Sequence, residues 1–246
     1  MFFSIARKQE EIEYEHGLSE ENVVLIPFNI LYKFNPRLTS EILFRLKLGY
    51  PLDLDNPQTY NEKLQWIKRY AHNPHMPKCC DKYLVREYIE SKGCGNLLNK
   101  LLWQGFDPAQ IPFDELPERF VAHGSAFNII CTDKNMLDRE GVITKCRRWL
   151  KAKFLPCYGE WFYGAEPPRV VAEEYLEGDD GLPLFDYKIF CFNGKPQMVY
   201  ADTWKDGEHT INVYDIDLNL FEGVELRYPN NDTLPQLQSQ NVGMKW

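Results

Sequence analysis

The chain has 246 residues, 44% hydrophobic and 14% aromatic, with a formal net charge of −8, so it is long and apolar enough to bury a core without disulfides or a structural metal and lies far from disordered compositions. Its acidity, with a pI near 5.2, speaks against a nucleic-acid-binding protein, which needs a cationic face for phosphate. No apolar run has the length of a transmembrane segment, and Met1 to Lys8 lacks the long apolar stretch of a secretory signal, so a cytoplasmic protein is expected.

Near the N-terminus the run Val23-Val24-Leu25-Ile26-Pro27 is too short to decide between a strand and a helix entry. From Ser40, the residues Ile42, Leu43, Leu46 and Leu48 recur at roughly helical spacing until Gly49 and Pro51 supply a stop, which predicts a short helix. Thr59-Tyr60-Asn61-Glu62 has the capping-box pattern, a hydroxyl three residues before a carboxylate, and Tyr60, Leu64, Ile67 and Tyr70 then fall on one helical face. Asp81 is placed to cap a further helix with Leu84, Val85, Tyr88 and Ile89 inward, Lys82 in its first turn and Gly93 just past its end.

A strand is expected around Leu98 to Trp103, followed by a connector from Asp107 to Pro117 that three prolines break up. Phe120-Val121-Ala122 and Asn128 to Thr132 read as two strands of a hairpin joined through His123-Gly124-Ser125-Ala126-Phe127. A basic amphipathic helix follows, with Ile143, Cys146, Leu150 and Phe154 on its apolar face. Arg169 to Leu176 reads as a strand running into the acidic loop Glu177 to Gly181. Tyr187 to Phe192 and Gln197 to Tyr200 flank Asn193-Gly194, the dipeptide of a two-residue hairpin turn, and Thr210 to Tyr214 adds a strand.

Helices come first and strands dominate after Leu98, so the fold class is α+β: a helical N-terminal region over residues 1–95 and a lobe built on antiparallel strands over residues 96–246. The seven cysteines, Cys79, Cys80, Cys94, Cys131, Cys146, Cys157 and Cys191, are an odd set without framework spacing and read as free thiols. His72, His75, Cys79, Cys80 and Cys94 are soft ligands in a short stretch, but their spacing matches no familiar zinc finger or ribbon.

Five segments in order, Asn56 to Trp66, Asp81 to Tyr88, His123 to Ser125, Ala172 to Leu176 and Asp186 to Pro196, together resemble the TupA-like branch of the ATP-grasp ligases. The resemblance implies an ATP-grasp-like fold, ATP and Mg²⁺ as cofactors, and activation of a carboxylate as an acyl phosphate that an amine attacks. Its implied setting is the assembly of bacterial capsule or teichuronopeptide-type polymers, with a nucleotide and a surface-polymer precursor as partners. Lys82 then resembles the lysine that such enzymes direct at nucleotide phosphates, its other reading being a solvated lysine in a helix's first turn. His123, Gly124 and Ser125 resemble the loop that closes over the phosphates, or are simply a hairpin turn. Glu173 to Leu176 resembles the hinge between lobes that meets the adenine, with Glu174, Tyr175 and Leu176 as candidate contacts, against an edge strand entering an acidic turn. Asp186 resembles the acidic residue near the ribose. Lys188 shares its strand face as a candidate catalytic residue, the alternative being an ordinary cross-strand salt bridge.

The sequence also departs from the family's pattern. Phe120-Val121-Ala122 leads directly into His123, so the lysine expected before the glycine loop is absent, and Ala126 replaces the loop's second glycine. The later strands that carry metal-binding carboxylates are missing, so the resemblance implies a lobe incomplete at its C-terminus and an activity lost or reduced. Asp215-Ile216-Asp217 has the spacing of a sugar-nucleotide metal motif but reads as a turn. A ligase of this class, a glycosyltransferase-like enzyme of capsule or lipopolysaccharide assembly, and a noncatalytic truncated remnant are therefore the competing functions.

Overall fold

The computed structural model describes residues 20–124, 128–152, 154–177, 186–205, 208–221 and 228–232. The chain divides into two compact units at the step from Tyr175 to Leu176. Helices and antiparallel sheets account for both, in agreement with the α+β class expected.

The first unit opens with α1 (Glu20–Phe34) and α2 (Pro36–Leu48), parted by one residue. Asn35 makes the break: its side-chain oxygen accepts the Leu38 N–H, and Pro36 supplies the preset φ of a first helical position. The second helix therefore starts four residues before Ser40, and the undecided run at Val23 lies within the first, Pro27 included. Gly49, at φ 81°, ends α2 as its composition predicts. Phe44 of α2 packs with Leu52 and Leu54 in a small core.

The capping box at Thr59 forms as expected and starts α3 (Tyr60–Tyr70). The apolar face predicted for that helix is not its buried face, since Tyr60, Ile67 and Tyr70 are exposed and Glu62 is the buried residue. The Glu62 carboxylate is drawn inward by the Gln58 and Thr59 N–H groups, at 3.0 and 2.8 Å, and the helix is tethered further on by Lys68, which donates to the Tyr158 carbonyl at 3.1 Å. Two short helices follow, α4 (His75–Cys80) and α5 (Leu84–Ser91), the first of which carries no side-chain cap and no periodic signal. Between them Asp81 Oδ1 accepts the Tyr83 and Leu84 N–H groups, the capping role expected of it, and Gly93 takes the left-handed conformation at φ 76°.

The sheet of the first unit comprises β1 (Leu101–Gly105), β2 (Phe120–His123), β3 (Asn128–Cys131) and β4 (Val170–Glu174), in the order β1-β4-β2-β3 with antiparallel pairing throughout. β4 is thus an interior strand, not the edge strand allowed by one reading of its sequence. Strand alternation divides the sheet's two faces. Phe120 and Ala122 of β2 join Val170 and Ala172 of β4 in the main core, which α6 (Arg139–Lys151) closes with Val142, Ile143 and Cys146. On the opposite face, by the same period, stand Val121, His123, Arg169, Val171 and Glu173.

The second unit is a meander of β5 (Asp186–Phe192), β6 (Lys195–Lys205) and β7 (Glu208–Tyr214). Asn193 and Gly194, at φ 52° and 75°, form the predicted tight turn between β5 and β6. Val199, Ala201, Tyr214 and Leu218 make its core. All seven cysteines are free, as expected. Among the described residues no helix is long and apolar enough to cross a membrane.

Candidate functional site

The polar face of the four-stranded sheet is lined by two ion pairs reaching from the segment that holds Asp81 and α5. Asp81 divides its carboxylate: Oδ1 caps the turn that presents Lys82, and Oδ2 lies 3.2 Å from Arg169 Nε. The Arg169 guanidinium is enclosed by the rings of Tyr83 and Phe106, at 4.8 and 4.9 Å, and reaches Gln104 Oε1 at 3.3 Å. Four residues beyond Lys82, Arg86 Nη1 bonds Glu173 Oε1 at 2.8 Å while its Nη2 donates to the Asn99 carbonyl at 2.6 Å.

These pairs neutralise one another, and a small recess opens beside them, lined by Cys80, Asp81, Lys82, His123, Gly124, Arg169 and Val171. Lys82 is exposed and makes no ion pair or hydrogen bond among the described residues. Burial, and then the nearby Lys82 ammonium, push the His123 imidazole down to about 4, so the ring is neutral at pH 7. Its Nε2 stands 3.4 Å from Glu173 Oε2. With Arg169 and Arg86 matched by carboxylates and His123 uncharged, Lys82 is, among the described residues, the one unmatched charge on the recess, an arrangement suited to an anion such as phosphate.

Gly124 is needed here for a reason the sequence does not show. It does not adopt a left-handed conformation; instead a Cβ at this position would meet Trp149 of α6 at 2.7 Å, so the missing side chain lets the hairpin lie against the helix. Ser125, the third residue of this expected loop, lies outside the described residues.

The structure thus brings Lys82, His123 and Gly124 to one place. The three residues matched to the adenine segment sit at the end of β4. The Glu174 backbone is already paired, its N–H with the Lys100 carbonyl at 3.0 Å and its carbonyl with Asn99 Nδ2 at 2.8 Å. The Arg119 guanidinium covers the Tyr175 ring at 4.3 Å, and Leu176 is 51% exposed. In the second unit, Lys188 contacts Asp186 at 3.1 Å and also the buried Asp202 across the β5–β6 ladder, so the cross-strand ion pair is present. Asp186 and Asp202 are direct register partners, and the single ammonium offsets two carboxylates.

Arg86, Arg169 and Glu173 carry this arrangement; the sequence alone marks neither arginine as a binding residue, and it places Glu173 only in the segment that resembles the adenine hinge. Two-residue spacing puts Arg169, Val171 and Glu173 on one strand face, and that pattern was the available signal. Asp215 is a turn residue as expected, its carboxylate accepting from the Asp217 and Asn219 N–H groups and from Asn219 Nδ2, which also hold it below the usual carboxylate range. Among the described residues no group of three His, Cys, Asp or Glu side chains is placed to hold a metal. The carboxylates Asp186 and Asp202 already share an ammonium, so this donor set does not fit the Mg²⁺ that accompanies ATP.

No curated protein and no solved structure matches the chain. The family model described as TupA-like ATPgrasp matches residues 62–241, a span that begins within α3 and takes in the Lys82 turn, the sheet with its polar face and the meander. A match over that much of the chain places the protein in the TupA-like ATP-grasp family.

Proposed function

We propose that the chain binds ATP with its phosphates at the Lys82–His123–Gly124 recess and acts in the cytoplasm as an ATP-dependent carboxylate–amine ligase on a precursor of a bacterial surface polymer of the capsule or teichuronopeptide type. The observation that supports this best is charge: a recess whose Arg169 is neutralised by Asp81 keeps, among the described residues, one exposed ammonium, Lys82, beside a neutral imidazole and a glycine backbone. ATP, when bound, supplies the phosphoryl group that turns a carboxylate into an acyl phosphate for attack by an amine.

The residues' own parts follow from their chemistry. Lys82 offsets phosphate charge, and it can do so without strain because its turn is fixed by the Asp81 cap. Gly124 lines the same recess, and Ser125 is assigned to the same anion on family resemblance. Glu174, Tyr175 and Leu176 are assigned to the adenine, Asp186 to the ribose, and Lys188 to the catalytic cation, each on family resemblance.

Isothermal titration of the full chain with Mg-ATP tests the reading. Binding should weaken by about 10- to 100-fold in Lys82→Ala, the loss of a charge-assisted contact of about 1.5–3 kcal/mol, with no change in melting temperature. A folded protein that takes up no ATP at millimolar concentration, or that binds a UDP-sugar in its place, sinks the proposal.

A further inference from the structure

We infer that Glu173 is the positioning residue of the phosphate side of this site, a single carboxylate that fixes the segment bearing Lys82 against the hairpin bearing Gly124. The inference rests on the nucleotide reading above and gives the Glu173 side chain a role on the phosphate side that the resemblance of its segment to the adenine hinge does not supply.

Glu173 points from an interior strand into the polar face, and its two oxygens go to two different elements. Oε1 accepts from Arg86 of α5 at 2.8 Å, and Oε2 lies 3.4 Å from His123 Nε2 at the end of β2. The side chains of Glu173 and Arg86 are each 15% exposed and that of His123 is 18% exposed, so water competes little for these contacts. Arg86 Nη2 also holds the Asn99 carbonyl, at 2.6 Å. Lys82 lies one turn of chain before Arg86, and Gly124 directly follows His123.

Without the carboxylate, the Arg86 guanidinium would be left part-buried with only a carbonyl partner, and His123 would lose the group that orients its ring. The Lys82 turn would keep its Asp81–Arg169 tie to β4 but lose the direct link, through Arg86 and Glu173, to the end of β2 that leads into Gly124. A cationic contact loses its advantage when its supporting shell is loose.

The test measures the full-length chain, wild type and Glu173→Gln, for binding of ATP, inorganic tripolyphosphate and adenosine, each alongside a thermal melt. Glu173→Gln should weaken ATP and tripolyphosphate about tenfold or more, by analogy with the loss of an outer partner of a metal ligand, and leave adenosine unchanged. Combining it with His123→Gln should add little, because both act through one contact. As a control, Glu160→Gln breaks the Lys68–Glu160 pair elsewhere in the same unit and should leave tripolyphosphate binding as it was. If Glu173→Gln does not fold, Arg86→Lys carries the same comparison, since lysine keeps a charge but not the fork that meets Glu173 and Asn99 together. Tripolyphosphate binding equal to wild type, or an equal fall for adenosine and tripolyphosphate, overturns the role of Glu173 alone. Failure of the wild type to bind ATP overturns the nucleotide reading and this assignment with it.

Discussion

The polar face of the four-stranded sheet and the charged corner of the β5–β6–β7 meander both bring carboxylates and cations together, but with opposite balance. In the first, Asp81 is matched by Arg169 and Glu173 by Arg86, which leaves Lys82 in excess. In the second, Asp186 and Asp202 share Lys188, which leaves a negative charge in excess. The proportion of partners, rather than the presence of charged residues, separates the two: the first keeps a cation for an anionic ligand, whereas at the second one ammonium already engages both carboxylates. Paired burial also separates them, since Asp81 and Arg169 are both about nine-tenths covered whereas the Asp186 side chain is 71% exposed.

The largest effect should therefore come from unpairing the first cluster. Arg169→Ala removes the partner of a buried carboxylate that also caps the Lys82 turn, and a buried pair broken on one side costs about 3–5 kcal/mol. Denaturant melts should show a loss of that order. A loss below about 1 kcal/mol would mean that the Asp81–Arg169 pair behaves as a surface pair and that the contrast drawn above is wrong.

Next comes Gly124→Ala, which drives a methyl group into the Trp149 ring, 2.7 Å from the nearest carbon. Overpacking of this kind costs about 1–3 kcal/mol, read as a lower midpoint in the same melts. Because the recess is lined by Gly124, phosphate affinity should fall as well. Trimming the helix side with Trp149→Phe in the same chain should recover part of the stability, and no recovery would show that the clash is not the cause.

How far the sequence foretells this arrangement depends on the range of the signals. Local ones are legible: the Thr59 capping box, the Asp81 cap, the glycines after α2 and α5, and the Asn193-Gly194 turn each specify backbone within four residues, and each forms. Family resemblance also picked out Lys82, His123 and Gly124, which the fold then brings to one recess from residues some forty apart in the chain. What the sequence withholds is pairing across the sheet. Glu173 and Arg86 are 87 residues apart, and only the register of β4 between β1 and β2 places that carboxylate beneath α5. Apolar periodicity fails for a related reason in α3, where Glu62 is pulled inward by its own cap while the predicted apolar face stays out. Gly124 shows a third limit, since its need for no side chain is set by Trp149, 25 residues later and on another element.

A smaller effect is expected from acid. Between pH 6.5 and about 4 the unfolded chain carries a proton on residue 123 while the folded chain, with its imidazole held down to about 4 by burial and by Lys82, does not. Proton uptake then favours unfolding, so stability contributed at this position is complete above pH 6.5 and declines as the pH falls toward 4; below that, both states are protonated and the dependence ends. Glu173 beside the ring limits the loss by accepting the charge that acid introduces. His123→Gln should flatten this part of the stability profile, and an NMR titration of the ring should give a midpoint well under 6.5. A ring that titrates at 6.5 or above would show that Glu173, not burial, governs it.

The smallest effect should come from the meander. Asp186→Asn removes the exposed carboxylate of the Lys188 group and leaves the buried Asp202 with the ammonium to itself. Exposed ion pairs are worth about 0–1 kcal/mol, and here the deletion also relieves the repulsion of two carboxylates facing one another across the ladder. The two contributions oppose each other, so the melting midpoint should stay nearly where it is in the wild type. A marked loss would mean that Asp186 holds Lys188 in place as firmly as Arg169 holds Asp81. The two clusters would then differ in their net charge but not in how tightly they are built.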